Sequence, residues 1–318
     1  MADLSIVIVN WNTRDLLRDC LQTVFAGSRR LSLEVFVVDN DSVDGSAEMV
    51  QEQFPQVRLF RNNTNVGFAA ANNQVLPLCS AEHVLLLNPD TRVLDDALDL
   101  LVRFMEDHPE AGAVGPKVIH PDMRLQVLSC GYQPTIRTLF NHYFGLSALF
   151  PERSFFRGLN LRLGVHDDRI RPVEWISGAC LLVRAAAIRQ VGPLSEEWFM
   201  YAEDMEWCHR MAIRRWKLFH VPEAVVEHRL GASVDKNKPV SVMWVRSLRS
   251  YFIRRDRPSR WRRFLFDAIL VSGLAMRATL YAGRGFLGGQ NKALWRSEAR
   301  KFVEYTKAAL GASRGAHP

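Results

Sequence analysis

Short apolar runs alternate with amphipathic stretches through the N-terminal part of the chain. LSIVIV (4–9), LEVFVVD (33–39), VRLFRN (57–62) and HVLLLN (83–88) read as buried strands. Helical spacing between and after them predicts helices over 13–25, 44–54, 67–78 and 94–108. In the first helix, Leu16, Leu17, Leu21 and Val24 share one face. Thr13 stands where it would cap that helix, and Asp44 where it would cap the next. Strands separated by helices imply a parallel sheet covered on both faces. Right-handed crossovers make it a doubly wound α/β domain.

The pattern weakens over 120–172. HPDMRLQVLSCGYQ fits a hairpin. The aromatic stretch TLFNHYFGLSALFPERSFFRGLNLRLG reads equally as a mobile acceptor-side loop or as irregular core. Order returns with a strand and short helix over 173–192, a helix over 203–215 and a short strand pair over 217–229.

Composition narrows the class. The chain has 318 residues, 48% of them hydrophobic, enough for a large core and an appendage. Its five cysteines are odd in number and form no CxxC pair, so reduced thiols in a cytosolic compartment are expected. The start MADLSIVIVNW has no basic segment or long apolar run, and no signal peptide is expected. The net charge of +7 is uneven: residues 1–120 hold 9 Lys and Arg against 17 Asp and Glu, and the remainder holds 32 against 17. The halves therefore face different partners, or one half faces an anionic surface.

Ligands of such sheets bind beyond the carboxyl ends of the strands. Asn10 and Asn12 follow the first strand, Asp39 the second, and Asn88 and Asp90 the fourth. A carboxylate at the end of a buried strand is held rigidly and can bind a metal or a hydroxyl with little reorganisation.

Seven motifs in order, IVIVNWN, VVDNDSVDGS, NVGFAAANN, LLLNPDT, WISGACLLVR, YAEDMEW and EHRLGAS, resemble the family 2 glycosyltransferases of the GT-A fold. The match spans roughly 3–235, and within the family it looks like the bacterial rhamnosyltransferases acting on lipid-linked cell-wall or O-antigen precursors. The resemblance implies a GT-A, Rossmann-like domain over 1–235, with a mostly parallel sheet flanked by helices. A basic, helical, membrane-associating region would follow over 236–318. It also implies inverting, metal-dependent transfer of a sugar to a polyprenyl-diphosphate-linked saccharide, with L-rhamnose from dTDP-rhamnose the first choice of donor.

The site residues follow from that resemblance, position by position. A departing nucleoside diphosphate must be neutralised, and Mg²⁺ or Mn²⁺ on oxygen ligands does this. The family's DxD-type motif falls on Asn88-Pro89-Asp90. Asp90 matches the metal position. Asn88 lacks the charge of the family's first Asp and is assigned to a ribose hydroxyl. Taken alone, this tripeptide is ordinary turn chemistry. Asp39 matches the residue that reads the imide N–H of uracil or thymine, a donor suited to a carboxylate. Asn65 and Gly67, with Asn72, match a segment near the nucleotide, and Asn10 shares the same sheet edge. Ser177, Gly178 and Ala179 match the lining of the sugar pocket. Asp204 matches the general base, and its neighbour Glu203 also favours a helix start. His228 matches a position that often supplies a further metal ligand, although a lone histidine is usually none.

Between Arg246 and Arg263 lie eight arginines opposed only by Asp256 and interleaved with Tyr251, Phe252, Trp261 and Phe264. The uncharged run Ala268–Met276 falls far short of the ~20 residues that span a bilayer. An amphipathic helix at the membrane interface is expected, with Arg254, Arg255, Arg262 and Arg263 reaching lipid or acceptor phosphates. A helix packed on the main domain with a solvated basic face is the plainer alternative. The implied location is cytoplasmic, peripheral on the inner face of the membrane. Implied partners are a nucleotide-sugar donor, a lipid-linked acceptor and an anionic membrane surface. No nucleic acid is expected, and oligomerisation stays open. Three rivals remain: a UDP-sugar transferase of the same fold, a sugar nucleotidyltransferase, and a non-catalytic basic adaptor. The second needs a Gly-rich phosphate loop, which NWNTRD does not offer. Asp39, Asp90 and Asp204 argue against the third.

Overall fold

The computed structural model describes residues 2–28, 30–126, 129–162, 169–229, 241–287 and 291–313. Two compact units emerge: Met1–Gly131 with Leu163–Lys236, and Tyr132–Arg162 with Asn237–Pro318.

Along the chain run β1 (Leu4–Asn10), α1 (Arg14–Gly27), β2 (Leu33–Asn40), α2 (Ser46–Gln53), β3 (Arg58–Asn62) and α3 (Phe68–Val75). Then come β4 (His83–Leu87), β5 (Thr91–Val93), α4 (Ala97–Asp107), β6 (Ala111–Ile119) and β7 (Cys130–Gly131). Helices α5 (Ile136–Tyr143) and α6 (Leu146–Leu149) belong to the second unit. The first resumes with β8 (Arg171–Val173), β9 (Trp175–Ile176), β10 (Cys180–Arg184), α7 (Ala185–Val191), α8 (Glu203–Ile213) and β11 (Lys217–His228). Helices α9 (Met243–Asp256), α10 (Arg260–Leu287) and α11 (Lys292–Ser313) complete the second.

The main sheet of the first unit has the order β3-β2-β1-β4-β10-β6-β11-β5, with β8 also paired to β11. The β1–β2, β1–β4, β2–β3 and β6–β11 pairs are parallel. β10 runs antiparallel to β4 and β6, and β5 and β8 run antiparallel to β11. The sheet is therefore mostly parallel but mixed. Ile6, Ile8, Val37, Leu85 and Leu87 pack with Leu17, Leu21 and Val24 of α1 in one core. Each fully buried side chain of this kind contributes about 1.5–3 kcal/mol relative to exposure. That packing fixes the strand ends from which the polar residues project.

Several local features differ from the sequence expectation, among them β5, and the helices α5 and α6 in the stretch read as a mobile loop or irregular core. β6 was not foreseen, and the expected strand pair over 217–229 is one strand with register shifts, one of them between Val221 and Val225, around Pro222. Thr13 makes no cap bond; its Oγ1 donates instead to Asn10 Oδ1 at 2.5 Å. Asp44 serves two helix starts, accepting from Ser46 N at 3.0 Å and from Arg14 N at 2.8 Å.

In the second unit, Phe266, Leu270 and Leu274 form the buried face of α10. Phe266 stacks on Phe252 of α9 with ring centroids 4.0 Å apart. Gly273 lies against the Tyr143 ring of α5, where a Cβ would overlap it. Among the described residues α10 is one helix long and apolar enough to cross a membrane by length and composition, and 33% of its apolar window is buried. The apolar stretch is longer than Ala268–Met276 because isolated charges interrupt it without ending the helix.

Candidate active site

The ends of β1 and β2 place Asn10 and Asp39 side by side as register partners. Asn10 Nδ2 donates to Asp39 Oδ1 at 2.8 Å, and Ser42 N donates to Asp39 Oδ2 at 2.9 Å. Asp39 is only 3% exposed. Both oxygens are held, yet each keeps a second lone pair for an incoming donor.

The register row continues from Ile8 to Leu87 and from Leu87 to Cys180. Asn88 and the segment Ser177–Ala179 consequently lie at the same edge as Asn10. Asn88 N donates to Ala179 O at 3.0 Å. Gly178 N donates to Asp204 Oδ2 at 3.1 Å. These two bonds tie the start of α8 to the Asn-Pro-Asp turn, so Asp39, Asp90 and Asp204 all stand on the carboxyl side of the sheet. The absence of a Cβ at Gly178 admits the Phe68 ring, which a Cβ there would meet at 2.8 Å. The room at that glycine is thus filled by protein.

Asp90 Oδ1 lies 3.0 Å from His228 Nε2, and both side chains are buried. Asn88 Nδ2 is 3.5 Å from the same ring nitrogen. The antiparallel β5–β11 pair brings Thr91 opposite His228. Thr91 Oγ1 donates to Asn88 O at 2.7 Å and closes the turn. Behind the ring stands Gln126, which the sequence reading did not single out. A hairpin after β6, closed by His120 N to Arg124 O and by Gln126 N to Val118 O at 2.8 and 2.9 Å, turns it toward β11. Its Nε2 and Oε1 lie 3.1 and 3.2 Å from His228 Nδ1.

Among the described residues no group of three or more His, Cys, Asp or Glu side chains could by itself hold a metal ion. A carboxylate oxygen beside an imidazole whose far nitrogen has its own partner nevertheless suits a divalent cation that takes further oxygens from a diphosphate. Asp90 and His228 fit that role as a partial shell.

Asn65 and Gly67 form a second polar corner. Asn65 Oδ1 accepts from Gly67 N at 3.0 Å and from Asn40 Nδ2 at 3.3 Å. Asn62 Nδ2 donates to Asn40 Oδ1 at 2.8 Å. Gly67 has φ +87°, and a Cβ would meet Phe199 O at 2.9 Å. Glycine is required here for both reasons. Phe68 N donates to Phe199 O at 3.2 Å, so this corner also anchors the loop leading into α8.

Asp204 and Glu203 open α8. Asp204 Oδ1 accepts from its neighbour Met205 N at 2.7 Å. Burial holds its carboxyl above the usual range, opposed by the backbone N–H groups it accepts from. Burial and then the Asp204 charge push Glu203 up to about 7. Glu203 Oε2 accepts from Ala202 N at 2.8 Å.

The tail arginines divide. Arg254, Arg262 and Arg263 are exposed. Arg255 departs from its expected role, because its side chain is only 8% exposed. It donates to Asp256 Oδ1 at 2.6 Å, Gln133 Oε1 at 2.8 Å and Pro134 O at 2.6 Å. A guanidinium with those partners inside its own unit is not offered to a phosphate. Of the EHRLGAS motif, Glu227–Arg229 are described and Leu230–Ser233 lie outside the described residues.

The mixed sheet with its polar carboxyl edge is the GT-A architecture. The mannosyltransferase PcManGT of Pyrobaculum calidifontis, solved with GDP-Man and Mn²⁺, superposes with a TM-score of 0.58 at 16% identity, covering 97% of this chain and 87% of that one. GalNAc-T7, solved with UDP, GalNAc and Mn²⁺, superposes at 0.61 and 14% identity, covering 98% of this chain and 58% of that one. Residues 5–152 match the model of glycosyl transferase family 2, and residues 83–283 match that of glycosyl transferase family group 2. The chain belongs to the family 2 glycosyltransferases. It is 28% identical over 289 residues to the N-acetylglucosaminyl-diphospho-decaprenol L-rhamnosyltransferase of Mycobacterium tuberculosis, covering 87% of this chain and 92% of that one.

Proposed function

We propose that this glycosyltransferase moves L-rhamnose from dTDP-rhamnose onto a polyprenyl-diphosphate-linked saccharide, with inversion at the anomeric carbon. The observation that carries this reading is the gathering of Asp39, the Asp90–His228 pair and Asp204 at one edge of the sheet. The similarity to the mycobacterial enzyme supports the choice of sugar and acceptor class.

Asp39 accepts the imide N–H of the base, and Asn88 takes a ribose hydroxyl. Asn10, Asn65 and Gly67 shape the nucleotide side, and Ser177–Ala179 border the sugar. Asp90 and His228 would hold Mg²⁺ or Mn²⁺, which when bound would supply positive charge to neutralise the departing diphosphate. Gln126 orients the His228 ring from behind. Asp204 takes the proton from the attacking acceptor hydroxyl, and the N–H of Gly178 holds its carboxylate in position. One base and one displacement imply inversion. The exposed Arg254, Arg262 and Arg263 face anionic phosphate at the inner surface of the cytoplasmic membrane.

A thermal-shift series with dTDP-rhamnose, UDP-sugars, GDP-sugars and the free nucleotides, each with and without Mn²⁺, tests the reading. A donor that binds the native state raises the melting point by mass action. The expected winner is dTDP-rhamnose with a Mn²⁺-dependent shift. A UDP-sugar as winner would replace the donor, and no response to any nucleotide would remove the nucleotide site.

A further inference from the structure

The second unit carries an apolar surface to which the proposed transfer assigns no residue. Phe140, Phe144, Leu149, Phe150 and Phe155 are all exposed, Leu149 at 70% and Phe155 at 63%. The rings fall in two groups rather than singly. Phe140 and Phe144, one helical turn apart, stack with centroids 4.7 Å apart. Phe150 and Phe155 each meet Phe156, at 4.7 and 5.3 Å. Arg137, one turn before Phe140, lies 5.5 Å over the Phe155 ring and links the two groups.

The ridge is braced from behind. Asn141 Nδ2 donates to Phe155 O at 2.9 Å and to Arg157 O at 3.0 Å. Leu139 and Tyr143 of α5 are buried on its inner side, Tyr143 against Gly273 and with Arg277 4.8 Å over its ring. The rings are therefore presented on a fixed support instead of folding inward.

The charge around them selects the occupant. Residues 132–162 hold Arg137, Arg153, Arg157 and Arg162 against Glu152 alone. A second copy of this chain would bring the same positive surface against itself. An anionic bilayer satisfies both features, taking rings at the acyl boundary and arginines at the headgroups. We propose that the Phe140–Phe155 ridge inserts into the interfacial layer of an anionic membrane. The transferase reading assigns only tail arginines to the membrane; the ridge is a separate contact, and vesicle binding tests it apart from sugar transfer.

The full chain is tested by co-sedimentation with phosphatidylglycerol–phosphatidylcholine vesicles at low salt and at about 0.5 M salt, where charge attraction is largely screened. The wild type is expected to keep a salt-resistant bound fraction. The triple variant Phe140→Ser, Phe144→Ser, Phe155→Ser is expected to lose that fraction by at least about tenfold, with its melting point and donor thermal shift unchanged. A second variant, Leu149→Trp, is expected to be quenched by brominated lipid beyond the wild-type tryptophan response. Wild type that binds no vesicles, unchanged salt-resistant binding in the triple variant, or no added quenching would each overturn the proposal. So would wild-type dimers in sedimentation that the triple variant abolishes, which would assign the ridge to self-association.

Discussion

His228 stands between Asp90 and Gln126, its Nε2 3.0 Å from a carboxylate oxygen and its Nδ1 about equally far from both ends of an amide, at 3.1 and 3.2 Å. One neutral tautomer gives Nε2–H to Asp90 and accepts at Nδ1 from the Gln126 Nε2 group. The other gives Nδ1–H to Gln126 Oε1 and frees the Nε2 lone pair. A glutamine can serve either tautomer, whereas a carboxylate could serve only the second.

That relationship makes Gln126→Leu informative. The ring would lose its rear partner in a site where Gln126 itself is 4% exposed. Outer partners of metal-bound histidines typically matter by about 10–100-fold in affinity. Mn²⁺ affinity, read by calorimetry in the presence of nucleoside diphosphate, should fall within that range while the fold stays intact by circular dichroism. Unchanged affinity would leave Gln126 a packing residue.

Asp90→Ala removes the oxygen side of the same pair. Donor binding in the presence of Mn²⁺ should weaken, and binding without Mn²⁺ should change little. Equal calorimetric affinities for wild type and variant with Mn²⁺ would separate Asp90 from the cation.

Asp204→Asn keeps the shape and the acceptor for Gly178 N but removes the base. Turnover should fall by about 10²–10⁴-fold, with donor affinity preserved. Because burial raises the Asp204 carboxyl, wild-type rate should climb with pH as that group ionises. Turnover close to wild type in the variant would take Asp204 out of the reaction.

Much of this site was legible because its residues end strands whose apolar runs announce them. Asn10, Asp39 and Asn88 each close a buried run, and parallel register alone brings the first two together. Gln126 was not legible, since its partner lies 102 residues away. Their meeting depends on β6 and β11 being neighbours, and β6 itself reads poorly. Gly112, Gly115 and Pro116 dilute its strand signal, yet Gly112 and Gly115 are needed where Trp216 and Ile176 press on the backbone. The direction of β10 is equally invisible to hydrophobic pattern, because an apolar run is the same read either way. Arg255 was misplaced for a related reason: an arginine run in sequence does not reveal which members turn inward to Gln133 and Asp256.

The exposed tail arginines set a separate expectation. Replacing Arg254, Arg262 and Arg263 by Ser should lower binding to anionic vesicles at low salt and leave the salt-resistant part in place. Loss restricted to high salt would contradict an electrostatic role, since screening weakens charge contacts first.

Glu203 is the group whose burial should show in stability. Its carboxyl titrates near 4.5 in the unfolded chain and at about 7 in the native one. Between those values the native state keeps a proton that the unfolded state has released. Stability is therefore full below about 4.5 and is lost as pH rises through about 7. Glu203→Gln removes that titration and can still accept from Ala202 N. The variant should match wild type near pH 4 and exceed it above pH 7, by up to about 3 kcal/mol, in urea unfolding at the two pH values. Parallel pH dependence in both proteins would mean that Glu203 is ionised in the native state across this range, held by the N–H groups at the start of α8 despite its burial.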